Sequence, residues 1–206
     1  NLILSIVALS HTTSLLVAQD YTKSVSNSSS KTVFISEVNR LSVEAYEGSE
    51  ILIETSGDNK KPERAKGLMP LSARGQDNTG IGLQVMEEGD QVIISQVARR
   101  VDGLFKIKVP ASMKVKIEHT GNWEGGKIEV YKVNQELEIS GRYNSIYMED
   151  ITGPALVNTV YGDVKGSFAS LSQAGPTSIV SVYNEVDITL PASSRANLTV
   201  KTPYGE

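Results

Sequence analysis

The chain reads as all-β: a right-handed single-stranded β-solenoid, β-helix-like, with rungs of about 18–22 residues and less regular coils or a cap on its N-terminal side. Three observations predict this. A turn signature recurs at near-constant spacing, the apolar residues between its copies superpose when the sequence is shifted by 18, and those residues alternate with polar ones at period two. Helical periodicity is absent after residue 31.

Composition narrows the class first. The 206 residues carry 24 acidic and 20 basic side chains, a formal charge of −4, 39% apolar residues and no cysteine. Disulfide scaffolds, thiolate zinc sites and cysteine nucleophiles are excluded. The mild acidity gives no electrostatic footprint for nucleic acid, and the apolar fraction is too high for a disordered chain and too low for a multi-span membrane protein.

Residues 1–19 hold no Asp, Glu, Lys or Arg, and the apolar run from Leu2 resumes through Leu15, Leu16 and Val17 to Ala18. This predicts a signal peptide cleaved after Ala18 or Gln19, and so an exported protein of the periplasm, cell surface or secreted medium. His11-Thr12-Thr13-Ser14 interrupts the run before the roughly 20 residues a membrane span needs, so no span is expected in the mature chain. No basic region precedes Leu2, and the natural chain is expected to start earlier; with no cysteine after the run, no lipid attachment is expected either. Residues 20–31, rich in serine, read as a flexible linker.

Residues 32–206 form the expected solenoid domain. Thr32 to Ser56 and Ile81 to Val109 read as longer strands punctuated by Glu47-Gly48, Gly57-Asp58 and Glu88-Gly89-Asp90, and are expected to form irregular coils or a cap. The repeat follows. Its signature appears as Tyr143-Asn144-Ser145, Tyr161-Gly162-Asp163, Tyr183-Asn184-Glu185 and Tyr204-Gly205-Glu206, at spacings of 18, 22 and 21. A shift of 18 places Ile128 on Ile146 and Val164, Val130 on Met148, Val133 on Ile151, Leu137 on Ala155, Ile139 on Val157 and Tyr143 on Tyr161. Asn and Gly alternate at Gly126, Asn144, Gly162, Asn184 and Gly205, which predicts a left-handed turn residue in each rung. Intervals of 2, 3, 4, 2 and 4 between apolar columns suit a right-handed coil with unequal sides better than a left-handed hexapeptide helix. Ile107-Lys108-Val109-Pro110 is echoed 81 residues later by Ile188-Thr189-Leu190-Pro191. Residue 206 falls inside a rung, so the domain is expected to be truncated at its C-terminus.

Several of these motifs carry a resemblance: Asn78-Thr79-Gly80-Ile81-Gly82-Leu83, Ile107-Lys108-Val109-Pro110, Gly153-Pro154 through Tyr161-Gly162-Asp163, and Leu190-Pro191 with Lys201-Thr202-Pro203-Tyr204-Gly205-Glu206. In them the chain resembles a family of exported bacterial adhesin-like domains common in Bacteroides-type bacteria, over nearly all of its length after the linker. The resemblance implies a right-handed β-helix-like solenoid. It implies no catalytic or binding residues.

Catalytic chemistry finds little footing. His119 is the one histidine after the leader and reads as a packed or solvated side chain, and Gly80-Ile81-Gly82 lacks the strand–helix context of a dinucleotide site. The position after each turn is acidic at Asp163, Glu185 and Glu206, with Asp187 nearby; stacked carboxylates could share Ca²⁺ or splay into water. Trp123, in the glycine-rich stretch Gly121-Asn122-Trp123-Glu124-Gly125-Gly126, is the candidate for stacking on a sugar ring. Arg99-Arg100 and the group Lys60, Lys61, Arg64 and Lys66 could meet an anionic surface. The expected function is a non-enzymatic exported scaffold or adhesin-like interaction module whose partner is a glycan or a surface protein, with no cofactor beyond the candidate Ca²⁺. Alternatives are a polysaccharide-active or glycan-binding β-helix protein, and an envelope sensor or accessory subunit.

Overall fold

Aliphatic residues at alternate positions give a strand one apolar face, and repeating that pattern in every coil lets the faces stack. The structure, a computed structural model, describes residues 21–56, 71–72, 75–98, 103–121 and 126–202. The described chain is all-β, with one 3-10 turn at Ser28–Ser30. The strands are β1 Tyr21–Ser24, β2 Thr32–Ser36, β3 Leu41–Tyr46, β4 Glu50–Thr55, β5 Leu71–Ser72, β6 Gly75–Gln76, β7 Leu83–Glu88, β8 Gln91–Gln96 and β9 Phe105–Pro110. They continue as β10 Lys114–His119, β11 Lys127–Tyr131, β12 Leu137–Gly141, β13 Ser145–Ile151, β14 Ala155–Thr159, β15 Val164–Phe168, β16 Ser178–Ser181 and β17 Val186–Thr189.

Two large mixed sheets hold fifteen of these strands between them. One has eight strands in the order β1-β4-β9-β3-β11-β13-β15-β17, the other seven in the order β16-β14-β12-β10-β2-β8-β7; β5 and β6 form a separate two-stranded pair. Consecutive strands such as β12 and β13 go one to each sheet, and each pairs in parallel with its counterpart in the next coil. Antiparallel strands occur at one end, where β7 lies on β8, β4 on β9 and β1 on β4. The N-terminal strands supply these antiparallel pairs.

The order of coils in space differs from the order in sequence. The pair β8/β9 stacks outside β2/β3, and β2/β3 in turn contacts β10/β11. The chain makes β2/β3, leaves to build the cap and the outermost coil, then returns past its own first coil to continue the stack. No local signal marks this, because the register between β8 and β2 depends on pairing across more than fifty residues of chain.

Four columns of ladder partners run through the two sheets, and their buried members form the core. In the seven-stranded sheet they run Val92–Val33–Val115–Leu137–Ala155 and Ile94–Ile35–Ile117–Ile139–Val157–Ile179. In the eight-stranded sheet they run Phe105–Leu41–Ile128–Ile146–Val164–Val186 and Ile107–Val43–Val130–Met148–Gly166–Ile188. The 18-residue shift therefore superposes true ladder partners at Ile128/Ile146/Val164, Val130/Met148, Leu137/Ala155 and Ile139/Val157. The echo between Ile107 and Ile188 has the same cause, since both occupy one column.

Two local expectations change. Residues 20–31 are structured from Tyr21 on, because β1 pairs along β4 from Tyr21↔Ile53 to Ser24↔Glu50 and Val25 is buried. The Asn/Gly column is not left-handed: the described residues with positive φ include Lys132 (φ 59°) and Asp150 (φ 58°) but neither Asn144 and Asn184 nor Gly126 and Gly162, while Gly205 lies outside the described residues. Glycine is selected there by crowding. A β-carbon at Gly162 would overlap the Asn144 carbonyl oxygen, and one at Gly126 would lie 2.9 Å from the Arg40 amide nitrogen. Asparagine earns the same place by bonding the adjacent coil: Asn144 Nδ2 donates to Gly126 O at 3.3 Å and Asn184 Nδ2 to Tyr161 O at 2.6 Å.

Candidate interaction surface

Three successive stacked turns each project one tyrosine. Tyr161 N donates to Arg142 O at 2.8 Å and Tyr183 N to Val160 O at 3.1 Å, so successive turns keep the strand spacing of about 4.8 Å. Their rings inherit it. Tyr143 and Tyr161 stack with centroids 5.0 Å apart and planes 10° apart; Tyr161 and Tyr183 stack at 4.9 Å and 5°. The Arg142 guanidinium carbon lies 5.3 Å from the Tyr143 centroid. Exposure rises along the column, from 37% at Tyr143 to 45% at Tyr161 and 67% at Tyr183. Ring faces inside the column are occupied by neighbouring rings, so a partner meets ring edges and hydroxyls along its length.

The acidic positions lie two residues beyond Tyr161 and Tyr183. Asp163 O accepts from Ile146 N at 2.8 Å and Glu185 O from Val164 N at 3.0 Å, which stacks the two positions on adjacent coils. A lysine stands among their side chains. Lys165 Nζ pairs with the Glu185 carboxylate, and its ammonium is held above the usual lysine range first by that bond and Glu185's charge, then by Asp163 and Asp187. The carboxylates that could have met Ca²⁺ already surround a cation. Among the described residues, no group of three or more His, Asp or Glu side chains is placed to hold a metal ion. Trp123 and Glu206 lie outside the described residues, as do residues 1–19, Lys60, Lys61, Arg64, Lys66, Arg99 and Arg100.

Paired charges line the outer faces of both sheets. Lys116 Nζ meets Glu138 at 2.9 Å, Lys114 meets Glu136 at 2.8 Å, and Lys132 meets Glu44 at 2.8 Å, each bridging two adjacent coils. Lys127 bonds Glu129 at 2.6 Å and lies 5.3 Å from the Tyr147 ring centroid. Glu129's contact is the first cause raising Lys127 above the ordinary lysine range. These faces are solvated and locally neutral.

At the far end of the stack a cleft of about 340 Å³ opens between the segment following β15 and the segment following β17. Leu171 and Pro191 supply apolar surface; Ser170, Gln173, Ser193, Ser194 and Arg195 supply polar groups. Gln173 Nε2 donates to Arg195 O at 3.3 Å, which ties the two walls together.

Sequence reasoning missed two further polar sites. The Gly80-Ile81-Gly82 stretch does cradle an anion, but the anion is the chain's own Asp77, buried, whose carboxylate accepts from Thr79 N at 3.0 Å, Gly80 N at 2.8 Å and Gly82 N at 3.2 Å. Both glycines have positive φ, 81° and 89°. The signal was present: an Asp two and three residues before Thr and Gly forms this kind of side-chain turn. The second is Glu87, which bonds Lys23 at 2.8 Å and also Lys31, joining β7 to the β1 strand and the β2 entry; no spacing in the sequence announces it.

No helix among the described residues is long and apolar enough to cross a membrane. Comparison with known protein families, with curated proteins and with solved structures finds no match.

Proposed function

We propose that the stacked strands form a right-handed single-stranded β-solenoid and that the protein is a non-enzymatic exported interaction scaffold, of the kind its resemblance to adhesin-like domains implies. The observation that carries the reading is the exposed column Tyr143–Tyr161–Tyr183. Its rings are already ordered by stacking, so a partner that binds them loses little side-chain entropy, and tyrosine is enriched at protein interfaces for its apolar body and polar tip. The in-register parallel ladders support the solenoid, since each coil adds one strand to each sheet. The charge-free apolar segment at residues 2–18 supports export to the periplasm, cell surface or medium.

Glycan binding is favoured over a protein partner by one feature, the cleft of Ser170, Gln173, Ser193, Ser194 and Arg195 over Leu171 and Pro191. Hydroxyl-bonding groups beside an apolar floor match the two faces of a sugar ring.

The test is binding of the chain lacking residues 1–19 to a glycan array and to intact bacterial and host-cell surfaces. The scaffold reading expects a binder whose affinity falls at least about tenfold in the Tyr161→Ser/Tyr183→Ser double variant. Loss in Arg195→Ala instead assigns the binding to the cleft and to a glycan. Binding that neither change affects, or cleavage of a polysaccharide by the wild-type chain, overturns the reading.

A further inference from the structure

Most of the buried polar side chains among the described residues gather along one corner of the stack, where the strands of the seven-stranded sheet end. Gln96, His119, Gly141, Thr159 and Ser181 are the last residues of β8, β10, β12, β14 and β16. Hydrogen bonds link coil to coil along this corner. Gln96 Nε2 donates to Ala98 O at 3.0 Å, and its Oε1 accepts from Asn39 N at 3.0 Å. Asn39 Oδ1 lies 2.6 Å from His119 Nε2. Further along, Asn144 Nδ2 donates to Gly126 O at 3.3 Å, Thr159 Oγ1 to Asn144 O at 3.0 Å and Ser181 Oγ to Gly162 O at 2.8 Å.

The run breaks between His119 and Asn144. His119 is 4% exposed and Asn144 1%, yet His119 Nδ1 and Asn144 Oδ1 meet no protein hydrogen-bond partner. Buried polar atoms left in that state are rare because each forfeits its bond to water without replacement. Both residues flank Gly141. His119 and Gly141 are ladder partners and both are turned inward. A β-carbon built on Gly141 would lie 3.6 Å from Asn144 Oδ1 and 3.3 Å from Thr159 Oγ1. Glycine thus leaves the inward place beside the imidazole without a side chain.

The chemistry of the flanking atoms specifies the occupant. Oxygen only accepts, so the proton of the short bond to Asn39 Oδ1 resides on His119 Nε2, and a neutral imidazole then carries its lone pair on Nδ1. Asn144 spends its amide nitrogen on Gly126 O, which leaves an acceptor oxygen beside Gly141. Thr159 Oγ1 has given its hydrogen to Asn144 O and can only accept from a further partner. Two orphan acceptors on residues that flank one glycine call for one small species with two donors.

We propose that Gly141 creates an internal hydration site holding one water molecule, which donates to His119 Nδ1 and to Asn144 Oδ1 and so joins the polar corner of the coils β8/β9, β2/β3 and β10/β11 to that of the coils from β12/β13 onward. The glycine is selected by this site. Its neighbours at 3.3–3.6 Å would accommodate a methyl group with a shift of a few tenths of an ångström, so crowding alone does not require glycine there.

Two measurements on the full chain decide it. In an atomic-resolution crystal structure of wild-type protein grown with rubidium chloride, we expect a density peak within hydrogen-bond distance of both atoms and no rubidium anomalous signal at it. In nitrogen-15 NMR of the same protein we expect His119 as the Nε2–H form with a bare Nδ1, and water-to-ring cross-relaxation that is lost in Gly141→Ala. A rubidium peak would replace the water by a cation and overturn the proposal. So would a dry space, direct contact between Nδ1 and Oδ1, or an Nδ1–H form. The wild-type measurements stand even if Gly141→Ala does not fold.

Discussion

Gly162 faces the carbonyl oxygen of Asn144 in the neighbouring coil so closely that a β-carbon at position 162 would overlap that oxygen and lie 2.9 Å from the amide nitrogen of Ser145. The obstacle is backbone on the adjacent coil, which cannot move without parting the ladder between β13 and β15. Gly162→Ala is therefore expected to cost about 3 kcal/mol in urea denaturation. Gly175→Ala is the control. Its nearest neighbours, the Cβ and Cγ atoms of Pro154, lie at an ordinary 3.4 Å, and its change should stay within about 0.5 kcal/mol. Equal costs at the two positions would show that coil packing does not select the glycine.

Tyr161 touches a ring on each face, while Tyr183 has one stacked neighbour. A double-mutant cycle between Tyr161→Ala and Tyr183→Ala should return a coupling of about 0.5–1.5 kcal/mol, the usual range for a stacked aromatic pair. Tyr161→Ala alone should destabilise more than Tyr183→Ala. Zero coupling would mean that the rings share a surface without contributing to it, and that their order is imposed by the turns alone.

How much of this was legible in the sequence depends on whether a feature repeats. Ile139 and Val157 could be matched because both sit in one column, and every coil must fill that column with an aliphatic side chain or leave a void. The tyrosines were legible as a recurring turn signature, but not as a stacked, exposed column. The placement of β8/β9 outside β2/β3 was not, because parallel pairing of Val33 with Val92 satisfies the same alternation as any other neighbour would. The Asn/Gly column misled in its cause: composition suggests a left-handed turn, whereas Gly162 and Asn144 are set by what the next coil brings against them. Of the candidate binding residues, Asp163 and Glu185 were rightly placed on adjacent coils, but the reading took account of carboxylates alone and overlooked Lys165, two residues from Asp163.

That lysine bears on calcium. With the Lys165 ammonium bonded to Glu185 and near Asp163 and Asp187, a divalent ion would have to displace a charge already neutralising them. Millimolar Ca²⁺ should leave the Tm of the wild-type protein unchanged, since among the described residues no three carboxylates are placed around one ion. A wild-type Tm that climbs with Ca²⁺ but not with Mg²⁺ or added NaCl would instead place a calcium site at these turns.

The cap should control the acid limit of stability. Glu87 is drawn from its usual value of 4.5 to about 2, first by its bond to Lys23, then by its bond to Lys31 and the charges of both lysines. A carboxyl with a lowered folded-state pKa binds its proton more readily when unfolded. The stability it contributes is therefore complete above about pH 4.5 and is lost as pH falls from there toward 2. Glu87→Gln removes that dependence: its unfolding midpoint in urea should lie below wild type at pH 7 and converge with it near pH 2. Because Glu87 ties β7 to β1 and the β2 entry, the early loss should appear as hydrogen exchange in β1 and β7 ahead of β12 and β13. Parallel wild-type and Glu87→Gln curves across the acid range would show that the two lysines hold the cap no better than water does.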